Sequence, residues 1–98
     1  EIVAGAIQDT GVGVLVGEKT FGKGLVQSVL PLGDGAALKL TTAKYLTPDS
    51  RDINDTGIEP DYTIGLTPEE LAHALLEAPS LEHDLQLQKA VTLLKSKL

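Results

Sequence analysis

A lysine held between two glycines constrains this chain more than any other feature. Gly22-Lys23-Gly24 comes shortly after the apolar run Val12-Gly13-Val14-Leu15-Val16. Glycine lacks a Cβ and accepts positive φ, so this pair lets the chain turn tightly around Lys23 and lets another main chain or a substrate come close to it. The arrangement reads as a site and not as a solvated surface.

Two chemistries use a lysine in such a setting. Residues 17–23 spell G-x-x-x-x-G-K, the opening of a phosphate-binding loop. That loop needs a Ser or Thr next and then a helix facing the phosphates, whereas here Gly24 comes next and residues 25–30 are apolar and strand-like. The sequence therefore argues against nucleotide binding. The other chemistry is a lysine base, which burial creates by disfavouring the ammonium and populating the free amine. Lys23 suits that role better than Lys19, which sits between Glu18 and Thr20, because Phe21, Leu25 and Val26 lie near Lys23 and Gln27 stands four positions on. Four residues of straight strand span about 13 Å, so an amine–amide contact between Lys23 and Gln27 requires a turn or bulge. A surface lysine in a glycine-rich loop is the plain alternative.

The run Gly17-Glu18-Lys19-Thr20-Phe21-Gly22-Lys23-Gly24-Leu25-Val26-Gln27-Ser28 resembles the lysine segment of the C-terminal processing peptidases, or tail-specific proteases, serine endopeptidases with a Ser/Lys dyad. The blocks Leu40-Thr41-Thr42-Ala43-Lys44-Tyr45-Leu46-Thr47-Pro48, Arg51-Asp52-Ile53 and Gly57-Ile58-Glu59-Pro60-Asp61 are similar to the family's next segment, in the same order. Leu85-Gln86-Leu87-Gln88-Lys89-Ala90 resembles its final helix. One position departs from the pattern: Ser50 stands before Arg51 where many members have glycine, which puts the local turn type in question.

Carried over by position, the resemblance makes Lys23 the general base and Gln27 the residue that orients it. The family's nucleophile is the first serine of a Ser-Ala-Ser-Glu-Ile run at a helix start, and Glu1-Ile2-Val3-Ala4-Gly5-Ala6 is similar to the end of that run and the residues after it. The serine is thus expected upstream of Glu1, as is the PDZ module. None of Ser28, Ser50, Ser80 and Ser96 has the family's context or a His and carboxylate arrangement. The expectation is that residues 1–98 form the C-terminal part of a catalytic domain and are inert alone, since a base without a nucleophile has no acyl transfer to assist. The implied fold is an α/β fragment of the spiral, crotonase- or Clp-protease-like core, with a β-hairpin and two C-terminal helices. The implied substrates are proteins or peptides with exposed C-termini, no cofactor or metal is required, and the setting is extracytoplasmic: periplasm, outer face of a bacterial membrane, or thylakoid lumen.

Composition narrows the rest. A net charge of -6 with only 8 basic residues leaves no footprint for nucleic acid. Aromatic residues make up 3%, so any core rests on Leu, Val, Ile and Ala and is shallow. Unmatched apolar surface then predicts pairing, as a homo-oligomer or swapped dimer. The competing functional class is a non-catalytic dimerisation or interaction module on the same fold.

Local patterns predict a helix over residues 1–8 with Ile2, Val3, Ala6 and Ile7 inward and a stop at Asp9-Thr10-Gly11. Residues 12–16 read as a buried, continuous strand of the parallel kind. Gly33-Asp34-Gly35 is turn chemistry between strands 25–32 and 36–46, with Leu38, Leu40 and Thr42 on one face. Residues 49–61 are acidic but lack the ligand spacing of a calcium loop, and read as a solvated connection. Thr67-Pro68-Glu69-Glu70 starts a helix that turns Leu71 and Leu75 inward and stops at Pro79. Asp84 caps a last helix presenting Leu87, Val91, Leu94 and Leu98, with Lys95 and Lys97 at its C-terminal end. His73 and His83 have no metal-binding partner at useful spacing and read as surface or capping residues.

Overall fold

The computed structural model describes residues 1–76 and 80–98. In chain order these form α1 (Ile2–Thr10), β1 (Val16–Gly17), β2 (Leu25–Gly33), β3 (Ala36–Lys44), β4 (Tyr62–Thr63), α2 (Pro68–Leu76) and α3 (Leu85–Ser96). The class is α/β, with three helices and two two-stranded sheets among the described residues. Contacts divide the chain into two units, Glu1–Gly13 with Lys19–Ile58, and Val14–Glu18 with Glu59–Leu98.

In the first unit, β2 and β3 make the expected antiparallel hairpin. Asp34 and Gly35 both take positive φ, 51° and 79°, as a two-residue turn matched to strand twist requires. Leu30 pairs with Leu38 and Ser28 with Leu40, while the hydroxyls of Ser28 and Thr42 lie 2.9 Å apart across the ribbon. The register slips between Val26 and Gln27, where Thr42 is the extra residue on β3. All of β3 is exposed, and Val29, Leu30 and Leu32 of β2 are exposed with it.

Helix α1 runs two residues beyond the predicted end, stopping where Gly11 turns left-handed and its N–H returns to the Gln8 carbonyl. Its packed side centres on Gly5, and of the four residues expected inward only Ala6 and Ile7 are half-buried. Ile2 and Val3 are 61% and 71% exposed, while Gly5 is buried. A Cβ on Gly5 would stand 2.8 Å from Thr47 Cγ2 and 3.3 Å from Ile58 Cδ1. Ile58, 1% exposed, and Ile53 are the buried apolar residues here. Glu1, Gly5 and Asp9 recur every fourth residue, which places them along one side of the helix. Both carboxylates are held from the far segments of the unit, Glu1 by residues 20–23 and Asp9 by Asp49 and Arg51. Polar anchoring at both ends, with close approach at the glycine between, sets the rotation of the helix and leaves Ile2 and Val3 outside.

The turn after β3 keeps the geometry a glycine would give it. Ser50 has φ 62°, its N–H reaches Thr47 O at 2.8 Å, and Thr47 N–H reaches Arg51 O at 3.1 Å. The serine therefore occupies the left-handed region rather than altering the turn.

In the second unit the predicted strand at 12–16 shrinks to β1, with Val12 and Val14 exposed. It is parallel, as expected, pairing Val16 with Tyr62 and Gly17 with Thr63. Tyr62 N–H to Leu15 O, Ile64 N–H to Gly17 O and Leu15 N–H to an Asp61 carboxylate oxygen extend the pairing. A run of only two paired residues between loops gives too little sheet to cover valines on both sides. Helix α2 begins with the reciprocal cap its sequence announces: Thr67 N–H donates to Glu70 Oε2 at 2.7 Å and Glu70 N–H to Thr67 Oγ1 at 3.3 Å. Leu71 and Leu75 are nevertheless exposed, because no other element covers that face among the described residues; the predicted stop at Pro79 lies outside them. Asp84 caps α3 by accepting from Leu87 N–H at 2.9 Å. Leu87 and Val91 are half-buried and Leu94 and Leu98 exposed. Gln86 donates to Ile64 O at 2.9 Å, and the Lys89 ammonium sits 5.4 Å from the Tyr62 ring centroid. His73 and His83 stack with ring centroids 6.0 Å apart.

Left-handed backbone costs an L-residue about 1–2 kcal/mol, partly offset by the greater unfolded-state freedom of glycine. Ser50→Gly is therefore expected to stabilise the protein by about 0.5–1 kcal/mol, read as a higher denaturation midpoint at unchanged slope. An unchanged or lower midpoint would remove the strain assigned to Ser50.

Candidate functional site

Residues 20–24 run through the first unit as an irregular loop. The main chain around Lys23 is held from several sides. Gly22 N–H donates to Glu1 Oε1 at 2.7 Å and Lys23 N–H to Glu1 Oε2 at 2.9 Å. Gly22 O accepts from Asp55 N–H at 2.9 Å and Gly24 O from Tyr45 N–H at 2.7 Å. Gly24 N–H approaches Asn54 Oδ1 at a longer 3.4 Å.

Both glycines are required by this crowding. A Cβ on Gly22, whose φ is 90°, would lie 2.7 Å from Gly57 N and 3.0 Å from Ile53 O, and one on Gly24 2.6 Å from Asn54 N. Segment 53–57 thus lies against the loop, and Thr20 joins them: its N–H donates to Ile58 O at 3.1 Å and its hydroxyl accepts from Ile58 N–H at 2.8 Å while donating to Glu1 Oε1. The expectation that the glycines let another main chain approach is met by this segment.

Beside the loop lies an open cleft of about 710 Å³, whose walls include Phe21, Lys23, Gln27, Lys39, Tyr45 and Asn54. Lys23 and Gln27, singled out in the sequence, line the same cleft, and the register slip between Val26 and Gln27, with Thr42 of β3 as the extra residue, falls between the two positions. Burial of Lys23 does not result from its neighbours. Its side chain is exposed, as are Leu25 and Gln27, and Phe21 is 90% exposed, because the fixed loop carries these side chains at the rim of the cleft. Lys19 and Thr20, read from sequence as a polar surround, separate in role: Thr20 joins the Glu1 network and Lys19 does not line the cleft.

Sequence reasoning missed Glu1, Asn54 and Asp55, whose bonds to the loop span 19 to 33 residues, beyond the reach of any local pattern. It also left Asp9 and Arg51 without a partnership. Asp9, its side chain 3% exposed, pairs with the Arg51 guanidinium and accepts from Asp49 N–H at 2.9 Å. Hydrogen bonding from Thr47, foremost, then from Asp49 and Arg51 holds its carboxyl below the ordinary aspartate range. The Glu1 carboxyl is lowered chiefly by the Thr20 hydroxyl and next by Gly22 N–H. Asp52 is lowered chiefly by Lys44, whose ammonium stands 2.9 Å away, then by Asn54 N–H. Several acidic groups of segment 49–61 are thus engaged by protein donors. Among the described residues no group of three or more His, Cys, Asp or Glu is arranged to hold a metal ion.

Residues 1–64 match Peptidase family S41, and the chain belongs to that family. It is 51% identical over 94 residues, 96% of its length, to a carboxyl-terminal-processing protease of Picosynechococcus sp.. It is 56% identical over 62 residues to the chloroplastic carboxyl-terminal-processing peptidase 1 of Arabidopsis thaliana, covering 63% of this chain and 13% of that one. Among solved structures, a photosystem II D1 C-terminal processing protease matches 64% of this chain and 16% of its own with a TM-score of 0.62 at 46% identity. The chain spans 22% and 21% of the length of two cyanobacterial relatives. No helix among the described residues is long and apolar enough to cross a membrane.

The three lowered carboxyls fix the direction of the acid response. A group whose pKa falls on folding stabilises the protein above its unfolded value and loses that contribution as pH drops through the folded one. Stability is expected to hold from neutral pH to the ordinary carboxylate range and to fall below it, with Asp9→Asn lowering the neutral plateau and flattening the acid decline. Thermal melts from pH 7 to pH 3 read both effects, and an unaltered decline in the variant would separate Asp9 from it.

Proposed function

We propose that this chain is the base-bearing part of the catalytic domain of a carboxyl-terminal processing serine endopeptidase, with Lys23 as general base and Gln27 orienting its amine. The observation that carries the proposal is the clamped loop that presents Lys23 at a cleft also lined by Gln27, in a chain of Peptidase family S41. On this reading the nucleophilic serine and the PDZ module lie upstream of Glu1, within a spiral, crotonase- or Clp-protease-like core, and residues 1–98 are inactive alone.

The chemistry runs as acyl transfer. The neutral amine of Lys23 takes the proton from the serine hydroxyl as its oxygen attacks the scissile carbonyl, and the resulting ammonium returns that proton to the departing amine. A water molecule, deprotonated by the same lysine, then hydrolyses the acyl-enzyme. Lys23 must be desolvated to act at neutral pH. On this reading, cover for the exposed rim comes from the upstream segment and the bound substrate. The relatives' names, carboxyl-terminal-processing protease and D1 C-terminal processing protease, support protein C-termini as substrates, and the chloroplastic and bacterial relatives support an extracytoplasmic or lumenal setting.

The exposed apolar residues of the hairpin, among them Val29, Leu32 and Leu40, favour a second reading as an interaction module, and with it association into a homo-oligomer or swapped dimer. Turnover separates the two. In the protein with its upstream serine, Lys23→Ala is expected to reduce cleavage of an unstructured peptide near its C-terminus by at least about 1,000-fold, and Lys19→Ala to leave it within about twofold. Equal activity of wild type and Lys23→Ala would overturn the dyad and leave the interaction module standing.

A further inference from the structure

The Glu1 carboxylate is the only side-chain acceptor, among the hydrogen bonds described, that reaches the backbone N–H of Lys23 itself. Its two oxygens are divided between tasks. Oε1 receives the Thr20 hydroxyl and Gly22 N–H, and Oε2 receives Lys23 N–H. Glu1 is also the N-cap residue of α1, yet its side chain makes no capping bond to its own helix. The carboxylate instead reaches across 19 to 22 residues of chain to the lysine loop. It is set there from behind as well, since Thr20 is fixed by both N–H and C=O of Ile58, which is 1% exposed.

We propose that Glu1 is a positioning residue for the base: its Oε2 bond fixes the main chain from which the Lys23 side chain departs, and so locks the lysine loop to the start of α1. The proposal rests on the reading of Lys23 as the base. A flexible lysine gains most from such a lock, because its four-carbon stem leaves the amine position undetermined unless the Cα is held. Gly22 and Gly24, which allow the close approach of segment 53–57, also remove the side-chain restraint that would otherwise stiffen the loop, and the carboxylate supplies the missing restraint from the helix side.

The division of labour between the oxygens gives a selective test. Glu1→Gln can keep Oε1, with its bonds from Thr20 and Gly22, while replacing the Oε2 acceptor by an amide that faces Lys23 N–H donor to donor. In the full protein with its upstream serine, Glu1→Gln is expected to lower the melting temperature modestly and, assayed well below it, to lower kcat about 10- to 100-fold with KM within about twofold. Glu1→Asp, one methylene shorter, should restore less than wild-type kcat but more than Glu1→Ala. Amide hydrogen exchange adds a readout independent of turnover: the Lys23 N–H should exchange at least about tenfold faster in Glu1→Gln, with the hairpin amides unchanged. Wild-type kcat in Glu1→Gln while Lys23→Ala is inactive would overturn the positioning role and leave the dyad intact. A kcat loss that merely tracks a lowered melting temperature would assign Glu1 to stability alone and overturn the proposal too. Full activity in Lys23→Ala would instead remove the base reading and, with it, the role given to Glu1.

Discussion

The first unit depends on how α1 is fixed along one side. Glu1 and Asp9, two helical turns apart, hold the chain segments that carry the lysine loop and the 47–52 turn, and Gly5 between them lets Thr47 and Ile58 come within contact of the helix backbone. Hydrogen bonds to an ionised carboxylate are shorter and stronger than neutral ones, and losing one of several partners leaves a poorly solvated charge. With Asp9 almost fully covered, this side of α1 is specified by charge and direction, not by apolar area. That explains why two β-branched residues stand in solvent while a glycine is buried.

What could be read in the sequence was whatever a few neighbouring residues determine. Asp34-Gly35 announces its turn because both positions need positive φ, and Thr67 with Glu70, or Asp84 ahead of Leu87, announce caps because donor and acceptor are three residues apart. The rotation of α1 was not legible, since apolar periodicity pointed to Ile2, Val3, Ala6 and Ile7 while the anchors of Glu1 and Asp9 lie far along the chain. Val12, Val14 and the leucines of α2 were misassigned for a related reason: an apolar pattern says that a face seeks cover, but not that an element is there to cover it. At the candidate site, residue spacing and resemblance singled out Lys23 and Gln27, while the clamp around them is made by residues that no motif joins.

The rim of the cleft and the ribbon beside it are exposed, in a chain that spans 22% and 21% of the length of two relatives. Apolar side chains such as Phe21 and Leu32 stand outside, and Ile53 and Ile58 are the buried apolar side chains among the described residues. Two lysines, Lys23 and Lys39, face the cleft with a single carboxylate, Asp55, on its wall.

The wide sequence separation of the clamp also bears on the order in which the chain acquires its shape. The hairpin closes through a two-residue turn between adjacent strands, an event of about 1–10 μs in isolated peptides. The lysine loop next to it is fixed only once Glu1 has arrived from one direction and Asn54 and Asp55 from the other, and such distant closures are entropically later steps. The segment bearing Lys23 is therefore among the last parts of the unit to become rigid, so its geometry reports on completed folding: an incompletely docked α1 leaves the lysine on a slack tether.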